Sequence, residues 1–191
     1  LLCAEAATAL LDATITLPLP LFRPHTDRPL ASPLDEHLAW CAALRQIGSE
    51  NLTALFPNPP ALSGFAWQLG QAEALVRLRN QLGEASLTIQ DVPDLLGATL
   101  ANHARWRDLH RLECIALAQL EARGLVDPVQ AKSDAAQSPQ IPPGTSRIIL
   151  AALPDPPLLA IHSLECLAET SINIEVLIPC LEEELELFDN W

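Results

Sequence analysis

Three pairs of residues in this 191-residue chain have the types and the spacing to do chemistry: His37/Cys41, His110/Cys114 and His162/Cys166. Each places His and Cys at i, i+4, which on a helix puts imidazole and thiol on one face and makes half of a tetrahedral zinc site. A closed site needs four ligands, so two of these helices would have to meet. The plainer reading is a buried Cys beside a His on an amphipathic surface, and no metal is expected. The five cysteines, Cys3, Cys41, Cys114, Cys166 and Cys180, are odd in number, widely spaced and without a C-x-x-C. That pattern argues against a disulfide framework or an iron–sulfur centre and suits reduced thiols in a cytoplasm.

Hydrolytic chemistry finds no foothold. A PD-(D/E)XK nuclease needs an acid-x-Lys to hold magnesium and orient water, but the single lysine is Lys132 and Gln130 stands where the acid would be. The G-x-x-x-x-G-K-[ST] loop that cradles phosphates is missing, as are G-x-S-x-G and a Gly-rich dinucleotide loop. The chain itself is therefore expected to be non-catalytic, with no cofactor. The acidic run of Glu182, Glu183, Glu184, Glu186 and Asp189 reads as a solvated end in preference to a cation site.

Eleven Lys and Arg against 24 Asp and Glu give a net charge of −13, which repels phosphate backbones and anionic membranes unless cations gather locally. The best such set is Arg77 and Arg79 with Arg105, Arg107 and Arg111, a weak DNA-binding candidate whose alternative is solvated helix faces. Trp40, Trp67 and Trp106 fall on amphipathic helices and read as helix-contact residues before base-stacking platforms. No run of 18 or more apolar residues is free of charge or Pro, so no membrane partner is expected.

These residues need elements to position them. With 7 Gly, 17 Pro and an apolar share of 49%, the composition favours helices broken by Pro-rich connections. The opening lacks Met, and the chain has no Met or Tyr at all, which reads as a piece of a longer protein. Residues 1–11 read as a helix end and 13–18 as a strand stopped by Pro18 and Pro20. Ser32 as N-cap, Pro33 inside it and Asp35 at N3 start a helix with a stripe of Leu34, Leu38, Cys41 and Leu44. A helix from Phe65 to about Leu82 turns Leu69, Ala72, Leu75, Val76 and Leu78 inward and stops at Gly83. A short segment starts at Asp91. The long stretch from Arg105 repeats apolar residues at Trp106, Leu109, Leu112, Ala116 and Leu120, with Gly124 as C′ and Asp127-Pro128 barring continuation. "SDAAQSPQIPPGTS" (133–146) is a polar linker. Beyond it the strand "RIILAAL", the helix "PPLLAIHSLECLAE" and the strand "INIEVLIPC" make a parallel βαβ unit whose strands, apolar on both faces, should be buried. The organisation is α/β with a large helical insertion: an α/β portion at 1–31 and 147–191 and a helical subdomain at 32–132.

This order resembles the N-terminal, UvrD-like helicase-fold half of AddB-type subunits of bacterial helicase–nucleases, whose C-terminal part is a PD-(D/E)XK nuclease. The resemblance rests on "ITLPLPLF", "RPLASPLDEHLAWCAALR", "RWRDLHRLECIALAQLEARGLVDP" and "RIILAAL…PPLLAIHSLECLAE…INIEVLIPCLEEELELFDNW", anchored by Pro179, Leu181 and Trp191. The family's Gly and Asp in "PGLD" are Cys180 and Glu182 here. It implies a partial RecA-like parallel layer carrying an α-helical insertion. It also implies a scaffold or DNA-positioning role in double-strand-break repair, with DNA and a helicase–nuclease partner subunit as partners. The competing expectation is a stand-alone helical protein–protein interaction module.

Overall fold

The computed structural model describes residues 23–59, 64–97, 102–151 and 156–177. The expected helix at 1–11, the strand at 13–18 and the acidic end lie outside these residues. Six α-helices and two strands follow one another: α1 (Pro33–Ile47), α2 (Phe65–Glu84), α3 (Asp91–Leu96), α4 (His103–Ala122), α5 (Pro128–Gln137), β1 (Arg147–Ala151), α6 (Leu158–Ala168) and β2 (Asn173–Leu177). The described chain is mostly helical, with one small parallel sheet.

Helix α1 begins as its sequence dictates. The Ser32 hydroxyl accepts the Asp35 N–H at 3.2 Å, and the Asp35 carboxylate accepts the Ser32 N–H at 3.1 Å. These reciprocal bonds satisfy two donors that a helix start leaves orphaned. The Ser32 hydroxyl also donates to the Asp35 carboxylate at 2.6 Å, and this bond, then the one from the Ser32 N–H, holds the Asp35 carboxyl below its usual range. The buried face of α1, however, is wider than one stripe. Helices α2 and α4 pack on two sides of it, so Glu36, Ala39, Trp40, Cys41, Ala43, Leu44 and Ile47 are all buried. Leu34 and Leu38, expected on the inner stripe, stay 64% and 39% exposed.

The core unites these three helices. Trp40, Leu44 and Ile47 of α1 meet Ala72, Leu75 and Val76 of α2, Leu109, Leu112 and Ala116 of α4, and Leu52 and Leu55 from the turn after α1. Asp108 on α4 accepts the Ala54 and Leu55 N–H groups at 3.1 and 3.2 Å, fastening that turn to the core. The lead into α1 is sewn to the end of α4. Ala31 N–H donates to the Val126 carbonyl and Val126 N–H to the Pro29 carbonyl, each at 2.9 Å, and Arg28 pairs with Glu121 and Arg123 with Asp35.

Two helix ends differ in chemistry. Gly124, at φ 70°, takes the left-handed C′ position after α4 as its sequence predicts. Gly83 does not stop α2. The helix runs through it to Glu84, and Ser86 adopts φ 54° while Leu87 N–H closes back on the Leu82 carbonyl at 2.8 Å. Gly83 serves close packing instead, because a Cβ there would meet Val129 Cγ1 at 2.5 Å.

Asp127-Pro128 ends one helical run and starts another. Asp127 accepts the Val129 and Gln130 N–H groups, Pro128 occupies the first turn, and α5 extends through Gln137 into the segment expected to be linker. "DAAQ" looks polar, but Ala136 packs with Leu159 and Ala160 of α6, joining α5 to the α/β end. Strands β1 and β2 pair in parallel from Arg147↔Asn173 to Ala151↔Leu177, as the strand–helix–strand order predicts. Their expected burial on both faces is not found among the described residues. Ile149, Val176 and Leu177 remain 47%, 46% and 54% exposed, because α6 is the one described helix packed on the pair.

Candidate functional site

The densest chemistry is a cluster of charges beneath the helical body. Arg79 on α2 sits where an apolar residue would be expected, one turn beyond Leu75 and Val76, and its side chain is 10% exposed. Its Nε donates to Glu113 of α4 at 2.6 Å, and its two terminal nitrogens donate to the two oxygens of Asp127 at 2.5 Å each. Burial works against the charge, but the hydrogen bonds and attraction of Asp127, then Glu113, outweigh it and raise the Arg79 pKa. Since Asp127 also caps α5, one guanidinium ties α2, α4 and α5 together.

Glu36 of α1 is the fourth member of the cluster. Burial, then repulsion from Asp127, raise its carboxyl pKa against the partial relief of Arg79 and Lys132. A raised folded-state pKa favours the protonated form, so this group's contribution is full below the unfolded glutamate value of about 4.3 and is lost as pH rises through the folded value. Glu36→Gln should therefore raise the melting temperature at neutral pH, with the gain shrinking toward acid. Melts of both proteins across that range check it, and a variant less stable than the parent at neutral pH would contradict it.

Above the cluster α2 and α4 face one another across a groove of about 460 Å³, with Leu55, Phe56, Leu75, Leu78, Trp106 and Leu109 on its walls. Gln71, Asn102 and Arg105 supply its polar groups. Phe56 also meets Trp67 edge to face, with ring centroids 5.1 Å apart. The three indoles thus divide: Trp40 is 3% exposed in the core, whereas Trp106 is half-buried on the groove and Trp67 half-buried beside Phe56.

The five candidate arginines do not gather. Arg79 is committed to its two carboxylates. Arg77, Arg105, Arg107 and Arg111 are exposed and form no ion pair among the described residues. Arg105 lines the groove. At about 100° per residue, Arg107 and Arg111 lie on the opposite, solvent side of α4, alongside His110 and Cys114. Sequence spacing placed these cations on two helices but could not say which way each pointed.

The His/Cys pairs also part company. Cys41 is buried, and burial pushes its thiol pKa up. His162 and Cys166 make no hydrogen bond to each other among the described residues. Only His110 and Cys114 touch, with Nε2 and Sγ at 3.6 Å. Within the described residues no three His, Cys, Asp or Glu side chains are arranged to hold a metal ion, and no helix is long and apolar enough to cross a membrane. Sequence reasoning missed the Arg79 network altogether. Its signal was present, as Arg79, Glu113 and Glu36 all stand on helix faces otherwise occupied by apolar residues. Comparison with known proteins finds no family model, no curated relative and no solved structure that matches this chain.

Proposed function

We propose that this chain is a non-catalytic scaffold and DNA-positioning portion of a bacterial double-strand-break repair helicase–nuclease subunit of the AddB type, acting in the cytoplasm. The helical body would be an insertion on a RecA-like layer, and β1–α6–β2 would belong to that layer. The observation that carries the reading is the parallel strand–helix–strand unit reached from a tightly fastened helical body, because this is the order of elements that the resemblance implies. The exposed apolar side chains of that unit suit a piece that is completed by other sheet elements. The dispersed arginines suit a piece that positions DNA through its assembly and not by its own grip.

A tagged chain expressed in the parent bacterium should co-purify with a helicase–nuclease partner subunit. Alone it should bind forked or single-stranded DNA no tighter than about 10⁻⁴ M near physiological salt. Submicromolar binding by the isolated chain, abolished by Arg105→Glu with Arg111→Glu, would sink the scaffold reading. A second reading, a stand-alone helical interaction module, is favoured by the α2–α4 groove, whose apolar walls could seat a partner side chain. Co-purification with an unrelated protein, lost when Trp106 is replaced by Glu, would select it.

A further inference from the structure

Helix α4 carries a relay of three side chains that the scaffold role does not use. The Cys114 thiol is exposed, and its Sγ lies 3.6 Å from His110 Nε2. The other ring nitrogen, Nδ1, is shielded from solvent and has no hydrogen-bond partner. It faces the second oxygen of Glu113 at 3.6 Å, while the first oxygen of that buried carboxylate takes the Arg79 Nε–H at 2.6 Å. At that separation the carboxylate makes no hydrogen bond to the ring, but its negative charge favours the tautomer with the proton on Nδ1, in which Nε2 can accept from the thiol. Thiol, imidazole and acid in this order make up the arrangement that activates a sulfur nucleophile. The same solvent face of α4 bears Arg111 and Arg107, about one and two turns before Cys114, with no ion pair among the described residues. Neither of the other His/Cys pairs has this geometry.

We propose that Cys114 is a modification site for a small anionic disulfide of the glutathione class. His110 takes the thiol proton as Sγ attacks one sulfur of the disulfide. A new Sγ–S bond forms and the old S–S bond breaks, so Cys114 is oxidised to the mixed disulfide. The departing thiolate carries away the electron pair and takes the proton back from His110 as a free thiol. Arg107 and Arg111 attract the carboxylates of the incoming disulfide and of the adduct. The surface round Cys114 is open, which suits a small, flexible reagent.

The test measures rates of modification site by site, by mass spectrometry of the whole chain, with two reagents: iodoacetamide, which is neutral, and oxidised glutathione, which is anionic. Cys114 should outpace Cys166 with both. His110→Gln and His110→Ala, each on an exposed helix face, should slow Cys114 at neutral pH by about tenfold or more and leave Cys166 unchanged. Arg107→Glu with Arg111→Glu should slow the glutathione reaction by roughly three- to tenfold and leave the iodoacetamide rate as it was. A Cys114 rate that both His110 variants leave intact overturns the relay. Equal slowing of the two reagents by the arginine pair overturns the anionic class.

Discussion

Arg79→Met should cost about 3–5 kcal/mol of stability, read as a shift in urea midpoint with little change in slope. Methionine fills much the same space, so the loss is electrostatic. Glu113 and Asp127, with side chains 8% and 12% exposed, would be left as buried carboxylates without a cation. An exposed pair is worth at most about 1 kcal/mol, so the size of the effect itself reports that the cluster is desolvated. A second arm separates network from charge. Adding Glu113→Gln and Asp127→Asn to Arg79→Met should recover part of the loss, because the two carboxylates that Arg79 pairs are then neutral and the Asn oxygen still accepts one of the two N–H groups that start α5, while Glu36 keeps its buried carboxyl. If Arg79→Met costs less than about 1 kcal/mol, water reaches the cluster and Arg79 does not clamp the helices.

How much of this could be read in the sequence depends on the range of the interaction involved. The capping box at Ser32 and Asp35, the left-handed Gly124 and the parallel pairing of 147–151 with 173–177 follow from neighbours or from element order, and they are found as expected. The errors arise where a local sign has two meanings. Gly83 reads as a helix stop, but its lack of a Cβ answers Val129, 46 positions along the chain. Asp127-Pro128 reads as a barrier and is also the start of α5, since the residues that end one helix can cap the next. The stripe on α1 assumes one partner helix, whereas two partners bury Glu36, Ala39, Ala43 and Ile47 and leave Leu34 outside.

The candidate site was legible only as residue types. Periodicity placed Trp106 and the arginines on amphipathic helices. It could not show that Arg105 and Arg107, two positions apart and so about 160° round the helix, face the groove and solvent respectively. The three His/Cys pairs are equivalent in spacing. The pairs at 110/114 and 162/166 both carry an acid one residue before the cysteine, Glu113 and Glu165; what distinguishes the first is that its acid is held by an arginine 34 positions away. That is a tertiary fact, and a helix wheel does not contain it.

Trp40→Ala should cost about 3–5 kcal/mol, because the indole lies at the meeting of α1, α2 and α4 with 3% of its surface exposed and no neighbouring element can collapse into the space. The adjacent residue gives the readout. Cys41 is buried in the same cluster and its thiol is held protonated by that burial, so it reacts with a soluble alkylating agent only when the helical body opens. In the regime where closing outpaces labelling, its rate follows the opening equilibrium. A loss of 3–5 kcal/mol then raises it by roughly 10²- to 10⁴-fold, at about 1.4 kcal/mol per tenfold. Cys114, already exposed in the closed protein, serves as the internal control and should change little. If Cys41 accelerates no more than Cys114, then α1 is not the shared wall of the three-helix core. If instead Cys41 accelerates while urea unfolding is unchanged, the opening is local to α1 and the body does not unfold as one unit.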